Sequence, residues 1–551
     1  MPVHGWRSFL RPHPSSQTPA VMRLLVAAVT GAGLALSFTG FYLAVYSWVC
    51  IGLLIIVLFG ATPRVAFFCG FLHGLAFVLA SVPWIAAVLT AHGGLSDVGG
   101  WGILLLISAA WGVLTGSFAW CVHRLWRRSV VYACIGAPFL WVTFEFARAK
   151  LPEISFPWNL LGYPAAANLG LAQIATVTGI WGLSFLVAAF NALLAWADAA
   201  EKPRALVRIG IFASAAVGVL GIMFGGSRLV PRAKVEHHAR AVQTNFPEAD
   251  SYPANWLQQN EDAMRDIEAL SVEPSLLHPD IVVWPEAPAP FSWQDPQFAK
   301  LASSLAIRAG HPFLAGVIEW KNEKLPNGHM GMEPYNSAIL VDAQGQRIFS
   351  YDKIHLVPFG EYEPFPLIHR VVSSVSSEVG GFAKGSRYAV GSFSNGYKFS
   401  VFICYEAIYP GEVREFAANG AELLINISND GWFGKSAAGV QHLNMARVRA
   451  VENRRWLLRV TNSGITASID PYGRIFAPMP RDVRGAVDLP YDFKTNETLF
   501  TRFGNWFAWL CVLVSAILIA STFWKGNFVP QEALIGAVSP ARKRQLAGAT
   551  D

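Results

Sequence analysis

The chain has 551 residues, 53% of them hydrophobic and only 15% charged, with a formal net charge of +6. Soluble proteins carry about 25% charged residues. The deficit excludes a disordered or nucleic-acid-coating chain and argues against a wholly soluble one. Six cysteines are too few for a disulfide scaffold.

The average hides unlike parts. Residues 1–230 hold 13 Lys+Arg and 5 Asp+Glu, and residues 504–551 hold 4 and 2; residues 231–503 hold the remaining 26 and 30. The positive charge therefore lies in the apolar part and the tail. The segment 231–503 is ordinary and slightly acidic, with no basic stripe for a phosphate backbone, so nucleic acid is a poor partner.

In chain order, apolar runs long enough to cross a bilayer are predicted at 22–39, 41–61, 65–91, 101–122, 130–147, 170–197 and 205–227, with an eighth at 504–524. A few such runs could be buried core helices, but eight could not. Lys and Arg gather on one side: Arg7, Arg11 and Arg23 in the N-terminal tail, then Arg64, then Arg124, Arg127 and Arg128, then Lys202, Arg204 and Arg208. The C-terminal tail adds Lys525, Arg542, Lys543 and Arg544. The opposite loops carry only Arg148 and Lys150. By the positive-inside rule both termini are cytoplasmic, and seven crossings place 231–503 in the periplasm of a bacterium. The first run has no convincing signal-cleavage site, and further spans follow at once. The expected organisation is a cytoplasmic tail (1–21), a seven-helix membrane domain (22–230), a periplasmic domain (231–503), an eighth transmembrane helix (504–524) and a cytoplasmic tail (525–551).

Cys50, Cys69, Cys121, Cys134 and Cys511 fall in or beside apolar runs, where cysteine is a small hydrophobe. Only Cys404 lies in 231–503. Taken alone, that thiol is as consistent with inert core as with chemistry.

Within 231–503, strands are predicted at 238–244, 280–284, 313–318, 336–342, 399–404, 422–428 and 456–469. Helices are predicted at 254–270, 297–309, 410–419 and 436–454. Buried strands separated by helices give a layered α/β or α+β domain. There is no phosphate loop and no Cys/His cluster with zinc spacing.

Three places carry chemistry. Val282-Val283-Trp284-Pro285-Glu286 puts a carboxylate at a strand's C-terminal end, where sites in such sheets collect; a surface-loop glutamate is the plainer reading if it stands alone. Tyr351-Asp-Lys353-Ile-His355-Leu-Val-Pro-Phe359-Gly-Glu361-Tyr362 is too apolar to be a free loop. His355 in it reads as a structural hydrogen-bonding residue. Val401-Phe-Ile-Cys404-Tyr405-Glu406 ends a buried strand in a turn toward Pro410. There helix N–H groups favour a thiolate and bind an oxyanion.

Together with Ser428-Asn-Asp-Gly-Trp432-Phe433-Gly434, these motifs resemble the nitrilase superfamily. The long lysine motif, the Ser428–Gly434 run, Phe156-Pro-Trp158, Gly162-Tyr163 and the spans look like its membrane-bound apolipoprotein N-acyltransferase branch. The resemblance covers nearly the whole chain except the two tails. It implies a periplasmic αββα sandwich beside about eight transmembrane helices. It also implies a Glu286–Lys353–Cys404 triad, with Glu361, Tyr405 and Glu406 in support and no metal or dissociable cofactor. The implied reaction moves the sn-1 acyl chain of a phospholipid, through a cysteine thioester, to the α-amino group of a diacylglyceryl-cysteine apolipoprotein in the inner membrane. Trp256, Phe291, Trp293, Phe359, Phe365, Trp432 and Phe433 are candidate lipid contacts, each also explicable as core. The Ser373–Gly381 run reads as a mobile lid. Two rivals stand beside this: a membrane-tethered amidase using water, and a lipid-binding transporter or receptor whose Cys404 is inert.

Overall fold

The computed structural model describes residues 18–151, 155–199, 205–248, 253, 255–324, 328–358, 360–362 and 381–523. Phe359, Phe365, residues 373–380 of the expected lid, and the tail and loop cations Arg7, Arg11, Lys202, Arg204, Lys525, Arg542, Lys543 and Arg544 lie outside the described residues.

Among the described residues, five helices are long and apolar enough to cross a membrane: Pro63–Ser81, Asp97–Trp126, Val130–Arg148, Ile180–Asp198 and Ala205–Leu229. The predicted runs 22–39, 41–61 and 504–524 hold the shorter apolar helices Ala20–Leu36, Leu43–Leu58 and Trp506–Ser521. Hydroxyl caps set three starts. Thr62, Ser96 and Ser129 accept the N–H groups of Val65, Gly99 and Tyr132. Two predicted runs are not single helices. The 65–91 run stops at Ser81 and restarts as Trp84–Ala91, because Pro83 lacks an N–H and its ring clashes with a preceding turn. The 170–197 run begins as the short helices Leu169–Ala172 and Ala175–Thr178. It turns at Gly179, φ 66°, before Ile180–Asp198.

Among the described residues, the C-terminal half holds twelve strands: β1 His237–Gln243, β2 Ile281–Val283, β3 Phe313–Lys324, β4 Met330–Val341, β5 Arg347–Asp352, β6 Gly391–Ser392, β7 Lys398–Ile403, β8 Leu423–Ser428, β9 Trp456–Thr461, β10 Thr466–Ile469, β11 Ile475–Met479 and β12 Gly485–Tyr491. They form two six-stranded sheets, ordered β12-β1-β2-β3-β4-β5 and β11-β10-β9-β8-β7-β6. The β1–β2–β3 and β7–β8–β9 centres are parallel. The predicted 456–469 strand is a hairpin, β9 and β10, antiparallel to each other. The predicted 254–270 helix is two, Trp256–Gln259 and Glu261–Val272.

Side-chain alternation builds the layers. Ala239, Ala241, Ile281, Val283 and Leu314 point into one core with Val401, Ile403 and Ile425 of the second sheet. Val242, Val282 and Phe313 point the other way, into a core shared with Met264 and Ile267 of Glu261–Val272 and with Phe298, Ala302 and Leu305 of Pro296–Ala309. β8 is buried along its whole length, as expected of a central parallel strand covered on both faces. The Ala438–Asn453 helix is buried on nearly every side, because the second sheet lies against one face and the apolar half against the other. Gln441 on it takes hydrogen bonds from the indoles of Trp84 (3.3 Å) and Trp158 (2.7 Å). This helix seats the sandwich on the apolar helices with its strand ends facing them.

Candidate active site

Glu286 stands three residues past β2, after Trp284 and Pro285. Its turn lies so close to β3 that a Cβ on Gly316 would stand 2.6 Å from the Glu286 Cα, so glycine there permits the approach. Lys353 follows β5, with its N–H on the Asn336 carbonyl at 2.8 Å. Cys404 follows β7 and starts a 3₁₀ turn, Cys404–Ile408. Its φ is +49°, a left-handed conformation that costs a non-glycine residue about 1–2 kcal/mol and clusters at functional sites.

All three side chains are buried, and Lys353 is only 1% exposed. Lys353 Nζ lies 3.1 Å from Glu286 Oε1 and 2.9 Å from Glu361 Oε1. Asn336 Nδ2 donates to the same two oxygens, at 2.8 and 2.7 Å. The second oxygen of each carboxylate has its own donor. Asn429 N–H reaches Glu286 Oε2 and Val357 N–H reaches Glu361 Oε2, each at 2.8 Å. Burial works against the lysine charge, but Glu286 and Glu361 outweigh it and hold the ammonium well above its usual range. Burial, then the Glu286 charge, push the Cys404 thiol up, against the pull of Lys353. The resting site is thus a neutral thiol beside a charged lysine that two glutamates share.

Glu406 ties the lysine loop to the cysteine turn. Its Oε1 accepts the Tyr351 hydroxyl (2.7 Å) and the N–H groups of Ile354 (2.7 Å) and His355 (3.1 Å), while Oε2 accepts Ile403 N–H at 2.6 Å. Burial lifts this carboxyl to about 7. On the far side of the cysteine, His442 Nε2 meets the Cys404 carbonyl at 3.0 Å. Below it, Asp430 binds Arg459 at 2.7 Å.

The apolar half supplies the wall. The Phe156 ring stacks on Trp111, Trp158 and Tyr405. Phe433 packs against Trp84, Trp158 and His442. Trp432 is 36% exposed and lies against His92. Trp256, Phe291 and Trp293 are elsewhere. Trp256 and Phe291 are core residues behind the first sheet, packed on each other and on Phe246 and Trp284, and Trp293 packs against the same cluster. His355 is a partner of Glu412 at 2.7 Å and stacks on Tyr409, as a structural histidine would.

Comparison with known proteins places this arrangement. The chain is 33% identical over 507 residues to the apolipoprotein N-acyltransferase of Geobacter metallireducens, covering 91% of this chain and 95% of that protein. The chain belongs to the apolipoprotein N-acyltransferase family. The enzyme of the same name from Shewanella oneidensis is 28% identical over 514 residues, 91% of this chain and 95% of that protein. The family model described as apolipoprotein N-acyltransferase N-terminal domain matches residues 30–193, and the carbon-nitrogen hydrolase model matches 239–492. The apolar half and the sandwich are therefore the two parts that this N-acyltransferase family joins. Among solved structures, an amidase from Nesterenkonia sp. is 21% identical with a TM-score of 0.33, covering 48% of this chain and 94% of that one.

Residues missed by sequence reasoning sit between the motifs. Asn336 looked like one polar position in an apolar strand, and His442 like one in a helix. Asn429 lies inside the Ser428–Gly434 run, where an amide beside a turn marks no particular role. The only local signal for Asn336 is that, with Ser337, it is polar at the start of the buried half of β4.

Proposed function

We propose that Glu286, Lys353 and Cys404 transfer the sn-1 acyl chain of a phospholipid to the α-amino group of a diacylglyceryl-cysteine apolipoprotein. Cys404 Sγ attacks the ester carbonyl while its proton passes to Glu286. Lys353 Nζ and backbone N–H groups near Tyr405 face the tetrahedral oxyanion. Collapse breaks the ester C–O bond, Glu286 returns the proton to the leaving glycerol oxygen, and a thioester and lysophospholipid result. The lipoprotein amine then attacks the thioester. Glu286 takes its proton, the sulfur leaves and is reprotonated, and an amide remains. This is two-step, ping-pong transfer. Glu361 positions Lys353, and Glu406 positions the Cys404 turn. No metal or dissociable cofactor enters.

The observation that carries the reading is Lys353 Nζ held between Glu286 and Glu361 beside Cys404 at a left-handed turn. The aromatic wall from the apolar half fits two lipid substrates. On the charge asymmetry of the loops, we place eight spans in the inner membrane, both termini in the cytoplasm and residues 231–503 in the periplasm.

The test is mass spectrometry of the purified protein after exposure to phospholipid. The expected result is an acyl mass on the Cys404 peptide, lost in Cys404→Ala. Adding a diacylated peptide with a free α-amine should discharge the thioester into an N-acylated product. Discharge to water alone, with no such product, would favour an amidase.

A further inference from the structure

Glu248 lies just past β1, where the sequence offers no motif. Its two carboxylate oxygens each accept a side-chain amide: Asn462 Nδ2 at 3.0 Å on Oε1 and Asn429 Nδ2 at 2.9 Å on Oε2. Neither amide is free to turn. Asn462 Oδ1 is occupied by the Thr244 hydroxyl at 2.7 Å and by Phe246 N–H at 2.9 Å. Asn429 Oδ1 takes Gly431 N–H at 3.3 Å and Asn462 Nδ2 at 3.2 Å. Both partners thus face Glu248 as donors. A carboxylate satisfies two donors, and an amide cannot. The same Asn429 sends its backbone N–H to Glu286 Oε2 at 2.8 Å.

We propose that Glu248 is a positioning residue: by pinning Asn429 it fixes the backbone N–H that orients the Glu286 carboxylate toward Cys404. This rests on Glu286 acting as the base. The turn is shaped for Glu248, because a Cβ on Gly431 would lie 2.0 Å from its Oε1. Gly431 is not among the residues of positive φ, so alanine there suits the backbone and collides with Glu248.

Burial lifts the Glu248 carboxyl to about 7. The amides of Asn462 and Asn429 pull it down, and the charges of Glu286 and Asp430 push it up. Below that pH its new O–H faces a donor, one hydrogen bond is lost and the turn loosens. Acylation therefore falls as the pH drops through about 7.

The experiment is the rate of acyl-enzyme formation at Cys404 with phospholipid vesicles, read across about pH 6 to about 8. Wild type should rise through about 7. Glu248→Gln should run about tenfold slower and lack that rise. Gly431→Ala, which keeps the carboxyl but displaces it, should copy Glu248→Gln, and the double variant should be no slower than either. Wild-type rate and profile in Gly431→Ala, or in a folded Glu248→Gln, overturn the proposal. Glu286→Gln at full rate overturns instead the reading beneath it, so the two failures are distinguishable.

Discussion

His442 Nε2 lies 3.0 Å from the carbonyl oxygen of Cys404. A carbonyl only accepts, so this nitrogen carries a proton. Nδ1 stands between Asp430 (3.0 Å) and Arg459 (3.1 Å). Burial and Arg459 hold the ring's further protonation below its usual range, so the Nε2 donor is in place at neutral pH. It braces the left-handed turn from below. His442→Ala should slow acyl-enzyme formation about tenfold or more and lower stability by about 1–3 kcal/mol, since the Cys404 carbonyl loses this donor and Arg459 loses a buried acceptor. His442→Gln can present an N–H to the same carbonyl and should recover part of the rate. Mass spectrometry of the Cys404 peptide and thermal unfolding separate the two effects.

The positive charge of Lys353 pulls the Cys404 thiol down, against burial and Glu286. Without it, burial and Glu286 are opposed only by the hydrogen bond with the Ser428 side chain. Lys353→Met should make Cys404 react more slowly with a small alkylating reagent at every pH, and move the rise of its labelling to higher pH than in wild type. Equal labelling rates would mean that the lysine charge does not reach the sulfur. The five cysteines of the apolar half are internal controls, since their surroundings do not contain Lys353.

Much of this was legible in the sequence, for identifiable reasons. Lys353 and Cys404 each follow a strand and Glu286 stands shortly past one, and an apolar run stopping near an ionisable residue is visible one motif at a time. The five long helices announce themselves by length and hydropathy. Other elements lack such marks. β6 has two residues, β11 carries Pro478, and β12 begins at Gly485 and contains Pro490, so each is too short or too interrupted for a period of two to emerge. Asn336, Asn429 and Glu248 act only through pairing across sheets and loops far apart in the chain. Local pattern carries no trace of that. Trp256 looked like a lipid contact beside a turn-rich stretch, yet it fills the core behind β1, because tertiary packing decides where an aromatic goes.

Gln441 holds the two halves together. Its Oε1 accepts both the Trp84 and Trp158 indoles, and its Nε2 donates to the Ser81 carbonyl at 3.1 Å. Gln441→Ala leaves two buried indole donors unpaired, at about 1–3 kcal/mol each. The expected outcome is a lower unfolding temperature in detergent and a slower acylation step, since Trp158 and Phe433 pack on His442, which meets the Cys404 carbonyl. Gln441→Glu keeps the acceptor and should retain more stability than Gln441→Ala.

Glu452 makes the second joint. Its Oε1 accepts Ile180 N–H at 2.8 Å, at the start of the Ile180–Asp198 helix, and its Oε2 pairs with Arg449 Nε at 2.9 Å. The carboxylate caps an apolar helix whose own preceding residue, Gly179, offers no side chain. A negative charge at a helix N-terminus is favourable in itself. Burial nonetheless lifts the group to about 7, against the pull of Arg449 and the Ile180 N–H. A folded-state value above the unfolded one means that its stability contribution is fully present below about pH 4 and fades as pH rises through about 7. Glu452→Gln, neutral at every pH, should remove that fading. It also removes Oε2, the acceptor facing Arg449 Nε, and leaves that buried guanidinium one hydrogen bond short, which costs about 1–3 kcal/mol. The variant should therefore unfold at lower temperature than wild type at about pH 6, with the gap narrowing toward about pH 8. Unfolding in detergent micelles at several pH values measures this. A gap that stays constant between about pH 6 and about pH 8 would show that the carboxylate is held ionised by Arg449 throughout.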